Sequence, residues 1–450
     1  MSLVDFFIIH FVFVQLFIFV HLHIYIYYGN ILVIVYILNK ELNIMSDYIF
    51  KSSINENEYR TFLNNAPTYS FTQLPEWANV KDNWGHDIVG LYKDGKLIAA
   101  SLLLIRYLPL GRKIIYSPRG PVMDFSDKDT VRTFCLEIKK YAKKIGAIAV
   151  KIDPFVIKED YENQKAANFG NSFNDTINNL KAFGFQHNGL SLDINAYFQP
   201  RFNMSIPLFD DNGHVDIQKF MKMMPKKTRY YMGSFHKSKG IEFVKAPKDD
   251  DLSEFVRLLG QVEKRQGITL RNEEYFKKIL NAFGDRAVIY YAQMHLDEYA
   301  AYLEGLIEKN QNVPQNTKKL DEAKALIKQR GTVVNLAASL VIMPDNNMKG
   351  VKVAEYLYAG SDISVLPTLC ASVGLIYAGV CDAISANCDY FNLGGVDGTF
   401  DDHLSKFKSK FVPHIFEYVG EFDMAVNKPL YLAFEKLLPY AKKVIKKIKK

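Results

Sequence analysis

Apolar and polar positions alternate with period two along "DIVGLYKDGKLIAASLLLIRYLP", and Lys93-Asp94-Gly95-Lys96 interrupts the alternation. That pattern predicts a β-hairpin. "KIIYSPRGPVMDF" reads as a strand running into a Pro/Gly break. "DKDTVRTFCLEIKKYAKKIG" has helical periodicity, an Asp near its start, late lysines and a closing Gly, which together predict a helix. "AIAVKIDP" reads as a buried strand ended by Pro154. Hairpin, strand, helix and strand in this order predict an α/β layout with a mixed sheet.

The same theme recurs downstream. "TRYYMGSFHKSKG" and "DDDLSEFVRLLGQVEKRQG" read as helices. "RAVIYYAQMHLDEYAAYLEGLI" and "GTVVNLAASLVIM" read as strands, "SVLPTLCASVGLIYAGVCDAISANC" as a helix and "DYFNLGGV" as a strand. Two such units suggest a duplicated fold without a clean sequence repeat. Between two of the predicted strands, Glu304 to Arg330 is highly charged and looks helical on either side of an Asn310–Asn316 turn that contains Pro314. It reads as a short helical arm of the second unit, or as a solvated insertion without a role.

Composition adds limits. A 450-residue chain with 48% hydrophobic and 23% charged residues suits a globular protein of two or three domains. The net charge of +7 is compatible with a polyanionic partner. Four cysteines without CxxC spacing fit a reduced, cytoplasmic compartment. Residues 1–44 differ: before Lys40 the only charged side chain is Asp5. This stretch reads either as a mis-assigned start ahead of Met45 or as a membrane anchor, and both readings leave the remainder facing the cytoplasm. At the other end, "YAKKVIKKIKK" suits an inner-leaflet membrane contact, or is a solvated charged end.

Candidate chemistry gathers in "YFNLGGVDGTFDDHLSKFKSKF". Three glycines (Gly394, Gly395, Gly398) precede a Phe-Lys pair, Phe407 and Lys408. Exposed amides beside cations suit an anion or a carbonyl gaining charge, or are a Gly turn followed by ordinary surface lysines. No P-loop, Gly-X-Ser-X-Gly elbow or metal-ligand spacing is present.

Several segments resemble the FemABX family of peptidoglycan aminoacyltransferases. They are "FTQLPEWANVKDNWG", "YSPRGPVMD", "KKTRYYMGSFHKSKGI", "QGITLRNEEYF", "EYLYAGS" and the closing "FNLGGVDGTF…KFKSKF…EYVGEFDMAVNKPLY". Together they span almost everything after Met45. The arm is shorter than the extended coiled coil of long-armed members. The resemblance implies two GNAT-like subdomains, at 45–199 and 200–412, with the arm at 304–330 and a C-terminal return at 413–450. It implies transfer of an amino acid from aminoacyl-tRNA to the stem-peptide amine, usually a lysine, of lipid II or UDP-MurNAc-pentapeptide. Other bridge-forming transferases would then be possible partners.

An aminoacyl ester is already activated, so no cofactor is expected. Lys408, in the family's Phe-Lys position, is the candidate for stabilising the tetrahedral oxygen. The Gly394-Gly395 turn would bring backbone close to the substrate. Asp124 is the candidate for holding the acceptor ammonium. Lys81, Arg119 and Arg229 are expected to bind the precursor's pyrophosphate, and Tyr116 and Tyr230 to line its sugar or peptide. The lysine-rich helix from Lys226 to Lys239 would touch tRNA. The competing classes are an acyl-CoA N-acetyltransferase and a membrane-associated RNA-binding protein. "RLLGQV" from Arg257 lacks the final small residue of a CoA-cradling loop, and no RNP, KH or zinc-knuckle pattern occurs.

Overall fold

In the computed structural model, residues 47–158, 171–266, 271–363 and 369–436 are described. The apolar stretch 1–44 and the Lys-rich tail lie outside them. Asp47–Ile49 and Lys93–Gly95 belong to one compact unit. Within it, Lys93 Nζ lies 5.0 Å from the centroid of the Tyr48 ring. The second unit is much larger.

Its first sheet contains β1 (Gly85–Lys93), β2 (Lys96–Tyr107), β3 (Lys113–Ser117), β4 (Ala147–Ile152) and β5 (Gln186–His187). Helix α1 (Pro75–Val80) precedes β1, and α2 (Lys128–Lys144) connects β3 to β4. The α2 cap is Asp127, whose side chain accepts from the amides of Asp129 and Thr130. β3 and β4 are parallel, β2 and β3 antiparallel, so the sheet is mixed.

The second sheet contains β6 (Phe202–Pro207), β7 (Ile241–Lys245), β8 (Ala287–His295), β9 (Val333–Ile342), β10 (Val353–Ser361), β11 (Tyr390–Val396) and β12 (His414–Glu417), in the spatial order β7-β8-β9-β10-β11-β6-β12. Its pairs are antiparallel except β10 with β11. A last strand, β13 (Phe422–Ala425), returns to the first sheet between β4 and β5. Lys151 and Asp423 face each other across that junction with Nζ and Oδ2 2.7 Å apart. The chain is thus α/β with two mixed sheets, as expected from its pattern.

Three elements depart from the sequence expectation. The stretch from Arg286 to Ile307 is a strand only to His295 and continues as a helix, α7 (Leu296–Glu308), because the Leu296 amide turns away to the Thr332 carbonyl and Tyr299, Ala300 and Leu303 bury a helical stripe. The arm therefore begins at Leu296 rather than Glu304. Its second helix, α8 (Val313–Arg330), starts with Pro314 in its first turn, so Pro314 is not in the loop. Left-handed Asn310 and Asn312 make the turn instead. The pair lies on the sheet: Leu303, Leu320 and Ala323 share a core with Met294, Val334 and Leu336. Finally, Lys226–Met232 (α3) and Ser234–Lys237 (α4) are separate helices, broken where Gly233 takes φ −97° and ψ −123°.

Candidate functional site

Strands β10 and β11 are the parallel pair of the second sheet, and they separate almost at once. Their register runs Val353–Tyr390, Ala354–Phe391 and Glu355–Asn392, then stops. Beyond Glu355, β10 stays with β9 as far as Ser361. Beyond Asn392, β11 bulges and rejoins β6 at Gly395. The two strands therefore part between Tyr356 and the Leu393–Gly395 stretch.

Lys408 reaches this point from helix α10 (His403–Lys408), whose Asp402 cap accepts from the amides of Leu404 and Ser405. Its Nζ donates to the Gly395 carbonyl at 2.9 Å. Lys408 is 7% exposed, and burial pushes its ammonium down to about 8. An ammonium has three donors; the Gly395 bond uses one. Gly394 has φ +83°, a backbone region open to glycine, and a Cβ there would lie 3.8 Å from Lys408 Nζ and from the Tyr356 carbonyl. At Gly395 a Cβ would fall 2.4 Å from Cγ of Pro200. Phe407 packs against Phe411, with ring centroids 5.8 Å apart, and so anchors the helix that carries Lys408.

Glu355 sits where the strands part. Its Oε2 accepts from Asn392 Nδ2 at 2.8 Å, and Asn392 Oδ1 accepts from the Gly394 amide at 2.8 Å. Burial raises the Glu355 carboxyl to about 7, against the pull of Asn392 and Arg119. This carboxyl poised near neutrality was not among the sequence candidates, although "EYLYAGS" begins with it. Its signal lies in burial, which the sequence does not show.

Arg119 is 5% exposed, in a left-handed turn after β3. Its amide donates to Asp153, its guanidinium donates to the Pro200 carbonyl at 2.6 Å, and the guanidinium lies 3.7 Å from the Tyr418 ring centroid. Burial raises Asp153 to about 7 despite Arg119. Tyr116 is interior: its hydroxyl donates to Asp153 at 2.8 Å and its ring packs on Phe198.

Arg119 and Asp124 both line a cavity of about 930 Å³, with Glu58, Lys96, Met123 and Asn171 among its other walls. Asp124 makes a turn, its Oδ1 accepting from the amide and hydroxyl of Ser126. Among the described residues its Oδ2 has no protein partner. Tyr116, Arg229 and Tyr230 are absent from the described walls.

Lys81 closes α1 and lies in a third place. Its Nζ donates to Tyr275 Oη at 3.0 Å and stands 4.5 Å from the Trp77 ring centroid. Burial, then Arg271, lowers it to about 8. Arg271 lies 5.1 Å from the same Tyr275 ring. Two cations at one aromatic ring suit a phosphate. The cation brought to Lys81 is thus Arg271, which sequence reasoning quoted in "QGITLRNEEYF" but did not select. Arg229 and Tyr230 are exposed on α3, where Tyr230 packs against Tyr231 and Phe235. Among the described residues no His/Cys/Asp/Glu cluster suits a metal ion, and no helix is long and apolar enough to cross a membrane.

The model of the FemAB family matches residues 54–313 and 304–438, most of the chain. The chain belongs to the FemAB family. It is 25% identical over 424 residues to aminoacyltransferase FemA of Staphylococcus aureus strain bovine RF122 / ET3-1, covering 86% of this chain and 97% of that one. It is 25% identical over 426 residues to aminoacyltransferase FemA of strain MW2, with the same coverage. A crystal structure of FemX covers 86% of this chain and all of its own, with a TM-score of 0.69 and 23% identity. That likeness shows a shared fold.

Proposed function

We propose that this FemAB-family protein transfers an amino acid from aminoacyl-tRNA to the stem-peptide amine, a lysine side chain, of a peptidoglycan precursor. The observation that carries the reading is Lys408: a buried ammonium held on the Gly395 carbonyl where the parallel strands part. The donor ester is placed beside Lys408, where the strands part. The acceptor nitrogen attacks the ester carbonyl, the carbonyl oxygen gains charge, and Lys408 donates to it. Collapse forms the amide and expels the tRNA ribose oxygen, which takes up a proton. A fixed cation at such an oxygen supplies about 3 kcal/mol of barrier lowering.

The nitrogen must lose a proton, and a free lysine amine holds its proton to about 10.4. Glu355, raised to about 7 beside the same bulge, takes it. Asp124 holds the acceptor ammonium at the cavity. Lys81 and Arg271 bind the precursor's phosphates, and Arg119 fixes the floor of the cavity through Pro200 and Tyr418. No cofactor enters the scheme. Lipid II and UDP-MurNAc-pentapeptide are the acceptors to be offered, in a cytoplasmic setting.

The test is mass spectrometry of each acceptor after incubation with protein and tRNA charged with glycine, alanine or serine. A mass gain of one amino-acid residue on one acceptor supports the reading. No gain with any pair, together with acetyl-CoA binding by calorimetry, would favour the acyl-CoA alternative instead.

A further inference from the structure

Between β2 and β3 the chain makes a tight loop, Leu108 to Arg112, closed by the Leu108 amide on the Arg112 carbonyl at 2.8 Å. Its tip is Leu110, an apolar residue with φ +59° and 95% exposure. A left-handed conformation is costly for leucine, and here no packing within the described chain offsets it. Tyr107, at the base of the loop, is 64% exposed.

Two other segments reach the same end of the first sheet. Because β3 and β4 are parallel from Lys113–Ala147 onward, the residues leading into β4 lie beside this loop. The Gly111 carbonyl is 3.9 Å from where a Cβ would stand on Gly146. The chain leaving β13 also ends here, with the amides of Val426 and Asn427 on the Ile148 carbonyl. It continues as a helix over 428–436, whose Tyr431 and Phe434 share a core with Leu108 and Ile114. That helix exposes Leu430 and Leu432.

The segments 106–113, 143–146 and 426–436 hold seven cations, Arg106, Arg112, Lys113, Lys143, Lys144, Lys428 and Lys436, against one acid, Glu435. Glu435 is directed to Lys151, 3.6 Å from its Nζ. Among the described residues none of the seven makes an ion pair. The surface therefore has a projecting apolar tip, flanking leucines and unneutralised cations.

We infer that this end of the first sheet docks on an anionic phospholipid surface, with Leu110 entering the headgroup–acyl boundary and the cations meeting lipid phosphates. Aliphatic tips favour lipid over RNA, where exposed bases would call for stacking rings. The inference is independent of the transfer reading, since binding is measured without either substrate. Each cation near such a surface is worth about fivefold in binding.

The full chain would be sedimented with vesicles of phosphatidylglycerol and phosphatidylcholine, and with phosphatidylcholine alone. Leu110→Asn suits the left-handed site and removes the apolar tip. It should weaken binding to anionic vesicles about tenfold while leaving the melting temperature and transfer to a soluble acceptor unchanged. Lys143→Gln with Lys144→Gln should weaken binding further, and added salt should reduce what remains. Wild-type-like binding by both variants would overturn the inference, because any residual membrane contact would then arise elsewhere in the chain. Unchanged vesicle binding with weakened tRNA binding would overturn it too and assign the surface to RNA.

Discussion

Lys408 Nζ donates to the carbonyl of Gly395, 2.9 Å away and thirteen residues earlier in the chain. The bond holds a buried cation at the point where β11 leaves β10. Its cost is visible in the ammonium, pushed down to about 8 by burial. In the proposed mechanism its remaining donors serve the transferring ester.

Replacing Lys408 by Met separates that cost from its use. Transfer should fall about a hundredfold or more, while the melting temperature at pH 7 rises by about 2–4 °C. The folded value lies below the unfolded 10.5, so the unfolded chain binds the extra proton between about 8 and 10.5. Wild-type stability should therefore gain across that window as pH rises, and the Met variant should lack this gain. Thermal melts across pH check both.

Glu355 gives the opposite sign. Its folded value, about 7, lies above the ordinary 4.5, so folding favours the neutral acid. The stability this group contributes is full below 4.5 and lost as pH rises through 7. Glu355→Gln should keep that stability at pH 8 and retain a partner for Asn392. It should also lose about a hundredfold in kcat and the acid limb near pH 7. A pH–rate profile that keeps the limb would remove Glu355 from proton transfer.

Lys81 and Arg271 should act on binding. Lys81→Gln or Arg271→Gln is expected to raise the acceptor KM about tenfold with kcat nearly unchanged. The double variant should lose less than the product, since both meet at Tyr275. Arg229→Gln, on the exposed face of α3, should leave the acceptor KM unchanged. Steady-state kinetics at varied acceptor concentration decide this.

Gly395→Ala places a methyl 2.4 Å from Cγ of Pro200, whose carbonyl accepts from Arg119. Overpacking of this kind costs about 1–3 kcal/mol. Denaturant unfolding should show the loss, and transfer should fall with it because the Lys408 acceptor carbonyl moves.

Local elements were legible where one periodicity ruled. The β1–β2 turn, the Asp127 cap of α2 and the wholly buried β4 follow from adjacent residues. The strand expected to run to Ile307 was not legible, because Tyr299, Ala300 and Leu303 are apolar in either conformation and the Leu296–Thr332 contact at the turn is distant in sequence. In the site, Lys408 and the two glycines could be seen because they lie close in sequence. The pairing of Lys81 with Tyr275 spans 194 residues, so Arg271 stood in a quoted motif without a reason to select it. Glu355 looked like any strand carboxylate until burial gave it a neutral form.

The central claim is that Lys408 acts on the transferring ester. Its most direct test is a single-turnover assay with labelled aminoacyl-tRNA and a saturating acceptor, comparing wild type with Lys408→Met after donor and acceptor binding have been shown equal. The account predicts rapid label transfer by wild type and a loss of about a hundredfold in the variant below about pH 8, narrowing above it as the wild-type ammonium loses its proton. Equal rates in the two folded proteins would contradict it and leave the buried lysine a structural group.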